Sequence, residues 1–114
     1  MSTKIYKILT HEQWALALKT GVFEGAPVDI QDGFIHFSTA EQVEETASKH
    51  FSGQSDLLLI TFGAERFGEK LKWEPSRGGA LFPHLYDALD PSEAIATHKL
   101  PARSDGGHDF PETY

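Results

Sequence analysis

Cysteine is absent from the 114 residues, and methionine occurs once. The first absence excludes disulfides, thiolate metal sites and cysteine nucleophiles together. It also fits a reducing compartment. Long apolar runs are missing: nothing approaches the roughly 20 apolar residues of a membrane span. The opening Met1-Ser2-Thr3-Lys4-Ile5-Tyr6 has no signal-peptide core. Positive charge is scarce, with 10 Lys and Arg against 17 Asp and Glu, a formal net charge of −7. Nucleic-acid affinity comes largely from neutralising phosphates, and anionic lipid surfaces repel acidic proteins in the same way. Neither partner is expected. A Walker loop and a Rossmann glycine fingerprint are absent, as is a nucleophile elbow. These absences leave a soluble, cytoplasmic protein whose partner is a small molecule, with its oligomeric state open.

What is present fits one domain. Lys4 to Leu9 reads as a strand rich in β-formers. Thr10-His11-Glu12-Gln13 has capping-box spacing, and Trp14, Ala17 and Leu18 follow at helical intervals to a closing Gly21. This places a first helix over residues 11–20. Residues 22–31 read as a connection, and Asp32-Gly33 as a turn. Phe34 to Ser38 reads as a strand. Thr39-Ala40-Glu41-Gln42 opens a second helix with Val43, Ala47 and Phe51 on one face, ending at Gly53. Leu57 to Phe62 is short and β-rich, and reads as a central strand buried on both sides.

Further strand segments follow at 71–74, 81–86 and 94–100, with Pro83 marking an edge or a bulge. The order predicts an α+β domain over residues 1–100, with a curved or split, mainly antiparallel sheet and two helices. Residues 101–114 read as a loosely ordered tail.

Three groups carry candidate chemistry. Strand alternation sets Phe34, His36 and Ser38 on one face and Ile35 and Phe37 on the other. His36 is thus a candidate ligand donor or general acid/base, or else a structural histidine beside a capping Ser38. Glu74 precedes the loop Pro75-Ser76-Arg77-Gly78-Gly79, where glycine permits close backbone approach. Arg77 could clamp an anion. His84 and Tyr86 share a face with Phe82, an aromatic and imidazole wall suited to a flat ligand. Two histidines and a glutamate on separate strands also allow a divalent metal, although no HxH or HExxH spacing supports one. His11, His50, His98 and His108 have no partners by spacing and read as surface residues.

Together these segments resemble an uncharacterised, mainly bacterial family, domain of unknown function 952. The matching pieces include Ile5-Tyr6-Lys7-Ile8-Leu9, Gly33-Phe34-Ile35-His36-Phe37-Ser38, Trp73-Glu74 and Phe82-Pro83-His84-Leu85-Tyr86. That family is distantly similar to the ADP-ribosyltransferase-like superfamily, whose members grip NAD in the cleft of a split sheet. The resemblance implies an NAD-like cofactor or ligand, held by Tyr6 or Lys7, by His36 and Ser38, and by a late Glu74. Glu74 and His36 would be catalytic in a glycosyl, ADP-ribosyl or phosphoryl transfer. Lys7 and Ile8 stand where active relatives carry Arg or His and then Gly. This motivates the alternative of a non-catalytic binding or interaction module. A His/Glu metal enzyme is the third reading.

Overall fold

In the computed structural model, residues 3–76 and 78–114 are described. The expectation for Arg77 therefore lies outside the described residues. The chain is α+β and antiparallel. Among the described residues, six strands form two three-stranded sheets. β1 (Lys4–Thr10), β3 (Leu57–Gly63) and β6 (Ala96–Leu100) make the first, in the order β1-β3-β6. β2 (Ile35–His36), β5 (Ala80–Leu85) and β4 (Leu71–Ser76) make the second, in the order β2-β5-β4.

Three α-helices join them: α1 (His11–Thr20), α2 (Pro27–Asp32) and α3 (Ala40–His50). Short 3-10 segments span Ala64–Lys70 and Pro91–Glu93. The expected two helices are thus corrected by α2, which lies in the segment read as a connection. Pro27 fills its first position, where a missing N–H costs nothing. Asp29 accepts the Ala26 N–H at 2.8 Å. Six residues are too few to show a helical period. No helix among the described residues is long and apolar enough to cross a membrane.

α1 begins and ends where its capping residues stand. The Thr10 hydroxyl accepts the Gln13 N–H at 3.0 Å, and Gln13 Oε1 accepts the Thr10 N–H at 2.9 Å. Gly21 closes the helix in the left-handed conformation, with φ 83°. β3 is buried along its whole length, as a central strand with both faces covered should be. Leu58, Ile60 and Phe62 join Ile5, Leu9 and Trp14 on one face. Leu57 and Leu59 join Ile8, Val43 and Ala47 on the other, under α3. The period-two pattern of β1 and β3 therefore feeds two cores at once.

Pro83 sits in β5, the middle strand of its sheet, rather than on an edge. The physical reason is that β2 is only two residues long. Pro83's carbonyl accepts the Phe37 N–H at 3.0 Å, so its missing N–H faces the side on which β2 has already ended. The segment expected as a loose tail folds back. Ala102 bridges to His108, and Phe110 and Tyr114 pack on the α3 side of the first sheet. Tyr114 donates its hydroxyl to Glu44 at 2.6 Å. His108, expected at the surface, is buried, with Nε2 2.7 Å from the Gln54 carbonyl.

Candidate functional site

Ser38 holds the two sheets together at one point. Tyr6 donates to the Ser38 carbonyl at 2.8 Å, and Ser38 donates to the Tyr6 carbonyl at 2.9 Å. Beyond this single bridge β1 has no neighbour on that side among the described residues, and a cleft of about 560 Å³ opens. Main-chain groups of an antiparallel strand alternate sides with period two. The N–H and C=O of Ile8 therefore point the same way as those of Tyr6, toward the cleft that Ile8 lines.

The deepest polar cluster is built on Asp29. Its carboxylate is buried and accepts Lys7 Nζ on both oxygens, at 3.0 and 2.9 Å. It also accepts the His36 N–H at 3.1 Å and faces His36 Nδ1 at 2.6 Å. The other ring nitrogen of His36, Nε2, lies 2.9 Å from Asp32 Oδ2. Both nitrogens thus meet oxygens that can only accept, an arrangement satisfied fully when both carry a proton. Burial alone would push the Asp29 carboxyl up. The hydrogen bonds from His36, Lys7 and Ala26 and the Lys7 charge outweigh it and hold the group down to about 2. Burial pushes the Lys7 ammonium down, while the Asp29 charge and hydrogen bond push it back up. The carboxylate is ionised at neutral pH.

A second cluster stands on the β4–β5 hairpin. His84 is buried, and its Nδ1 lies 2.8 Å from Glu74 Oε1. The Tyr86 hydroxyl donates to the same oxygen at 2.7 Å. Hydrogen bonds from Tyr86 and His84 hold the Glu74 carboxyl below its usual range, and that carboxylate raises the Tyr86 phenol. Phe34 stacks on His84 with ring centroids 4.1 Å apart and also touches His36 and Tyr86, at 4.6 and 5.2 Å. The His36 and His84 rings are 5.5 Å apart, because the two residues pair across β2 and β5.

The structure brings most sequence-level candidates to one place. Tyr6, Lys7, His36, Ser38 and His84 line the cleft. Glu74 and Tyr86 stand behind His84 rather than on the lining, and Ser76, next to Arg77, reaches it. Tyr6 is buried with its ring against Tyr114 at 5.5 Å; burial and the Glu41 charge raise its phenol. The Ser38 hydroxyl pairs with Thr46 Oγ1 at 2.9 Å. Asp29 and Asp32 are the members sequence reasoning missed. The signal was the Ala-Pro-Val-Asp helix start, with an acid three residues after the cap. No group of three or more His, Cys, Asp or Glu among the described residues could hold a metal ion. Glu74 and His84 turn their donors toward each other, which leaves the three-ligand reading without its geometry.

The Asp29 geometry has a pH consequence. An aspartate titrates near 3.9 when unfolded and at about 2 here. A depressed carboxyl stabilises the fold fully above its unfolded value and loses that contribution as pH falls through the folded one. We expect urea stability to fall by about 2 kcal/mol from this group between about pH 4 and pH 2. In Asp29→Asn combined with Lys7→Met, that part of the acid slope should be missing when unfolding is followed by circular dichroism.

A family model described as a protein of unknown function, DUF952, matches residues 8–97. The crystal structure of protein CC0527 from Caulobacter crescentus is 51% identical, with a TM-score of 0.91, and the match covers 94% of each chain. The solution structure of the same Caulobacter protein is 52% identical, with a TM-score of 0.82, covering 91% of this chain and 90% of that one. No curated protein matches.

Proposed function

We propose, since the chain belongs to the DUF952 family and that family carries no described function, a reading built from its own cleft: it binds a nucleotide-like ligand of the NAD or ADP-ribose type. On this reading the split sheet is an ADP-ribosyltransferase-like one, and the reaction is transfer of a group from the ligand. The observation that carries it is convergence. Side chains from β1, β2, α3 and β5 meet on one cleft of about 560 Å³, within the usual range for small-molecule sites. The main-chain N–H and C=O of Ile8, without a partner among the described residues, offer one donor and one acceptor to a polar ligand edge. Phe82 and the imidazoles of His36 and His84 offer flat surfaces to a ring. The carboxylate of Asp32 lines the cleft, is partly exposed and suits a cationic ring better than a bare phosphate. Glu74 stands off the lining and would act on positive charge developing at an anomeric carbon through the His84 ring it holds.

Calorimetry tests this directly. NAD or ADP-ribose should give a saturable heat with the native protein, and His84→Ala should weaken it roughly tenfold, about 1.4 kcal/mol. No heat with either compound, from protein with an intact melting transition, ends the reading.

A second reading, a binding module without turnover, is favoured by Lys7. Its ammonium is committed to Asp29 rather than offered to a ligand. Release of nicotinamide from NAD that disappears in Glu74→Gln would exclude it.

A further inference from the structure

Of the histidines that line the cleft, His36 and His84 stand 5.5 Å apart, and their surroundings differ in the one respect that matters for proton transfer. His36 has both ring nitrogens engaged by carboxylates, Nδ1 by Asp29 and Nε2 by Asp32. It can neither accept nor deliver a proton without breaking an ionic contact. His84 has only Nδ1 engaged, by Glu74. Its Nε2 has no hydrogen-bond partner among the described residues, and the residue lines the cleft. A carboxylate on Nδ1 fixes the proton there and leaves the Nε2 lone pair free, because a neutral imidazole carries one proton. Phe34, stacked at 4.1 Å, holds the plane of the ring, and Tyr86 donates to the same carboxylate oxygen that His84 meets. His84 lines the cleft; Glu74 does not.

We infer that His84 is the proton acceptor of the cleft, that Glu74 positions it, and that His36 is a clamp joining α2 to β2 with no part in proton transfer. The ligand group that meets Nε2 is an O–H donor, a hydroxyl or a water. In the step, the O–H bond breaks and its electron pair stays on oxygen. An N–H bond forms at Nε2 from the imidazole lone pair, and the resulting imidazolium is balanced by the Glu74 carboxylate. The identity of the hydroxyl as one attacking or belonging to a nucleotide-like ligand rests on the reading above. The choice of His84 over His36 does not.

Acylation by diethyl pyrocarbonate tests the assignment without a known ligand, because the reagent attacks an unprotonated imidazole nitrogen. The native chain is treated at about pH 8, where an ordinary histidine is neutral and the rate reports the availability of the ring nitrogen, and each histidine is followed by peptide mass spectrometry. His84 should react at least roughly tenfold faster than His36, about 1.4 kcal/mol of barrier. Glu74→Gln should slow His84 several-fold, leaving exposed His11 unchanged, and Glu74→Asp should restore part of the rate. Asp32→Asn, which frees Nε2, should speed His36. The inference is overturned if His36 reacts as fast as His84, or if His84 ignores Glu74→Gln. Calorimetric silence toward NAD with a fast His84 would remove the nucleotide and leave the proton acceptor in place. Binding of NAD with an inert His84 would do the reverse.

Discussion

Replacing Asp29 by alanine should cost about 3–5 kcal/mol, the loss expected when one partner of a buried ion pair is removed. The reason is Lys7. Its ammonium is buried and takes both oxygens of Asp29. Without the carboxylate, a largely buried charge remains unpaired, and the Ala26 and His36 N–H groups lose their acceptor as well. The melting temperature should drop by at least about 10 °C for a chain of this size. The double variant Lys7→Met with Asp29→Ala should recover a large part of that loss, because no buried charge is then left unpaired. Chemical denaturation of the wild type, both single variants and the double variant gives the coupling. Additive losses would show that the pair contributes nothing beyond its separate parts. Because Asp29 also engages His36, the single variant should loosen α2 from β2 and expose His36 to acylation.

Gly25→Ala should be the next most damaging change, at about 2–4 kcal/mol, combining backbone strain with overpacking. Gly25 has φ 130°, a conformation that residues with a Cβ rarely adopt. A Cβ there would also stand 2.8 Å from Asp29 Cβ and 3.4 Å from Ile30 Cγ1. Asp29 cannot give way cheaply, because its Cβ is tied to the helix backbone and its carboxylate to Lys7, His36 and Ala26. The expected signature is a melting loss together with an Asp29 titration moving up from about 2 toward the ordinary value near 3.9. Gly21→Ala is the control. Its φ is 83°, but nothing lies within 4 Å of the added Cβ, so it carries only the left-handed penalty of about 1–2 kcal/mol. Equal losses at the two glycines would show that contact with Asp29 is not the cause.

Several elements were legible because their signals are local. Thr10 with Gln13 and Gly21 specify the ends of α1 within the residues themselves. Alternation from Phe34 to Ser38 places Ile35 and Phe37 in the core and His36 and Ser38 on the cleft. The run Leu57 to Phe62 is apolar on both faces, and β3 is covered on both. Other features depend on partners that spacing does not reveal. Lys7 and Asp29 are 22 residues apart, so the ion pair leaves no trace in either segment. Pro83 in a middle strand becomes intelligible once β2 is seen to stop after two residues. His108 looks like a surface residue beside Gly106 and Gly107 until the bridge from Ala102 turns it toward Gln54.

The sequence by itself determined the class of the fold, the faces of its strands, the first helix with its caps, and the strand segments that would carry polar residues. These depend on periodicity and capping, which act over a few residues. Tertiary structure alone decided which polar residues meet and in what role. It joined Lys7 and His36 through Asp29, turned Glu74 onto His84, and left Nε2 of His84 and the main chain of Ile8 in the cleft without a partner among the described residues. Hydrogen bonds act over about 3 Å, and contacts of that kind between distant segments exist only after the two sheets have packed and parted.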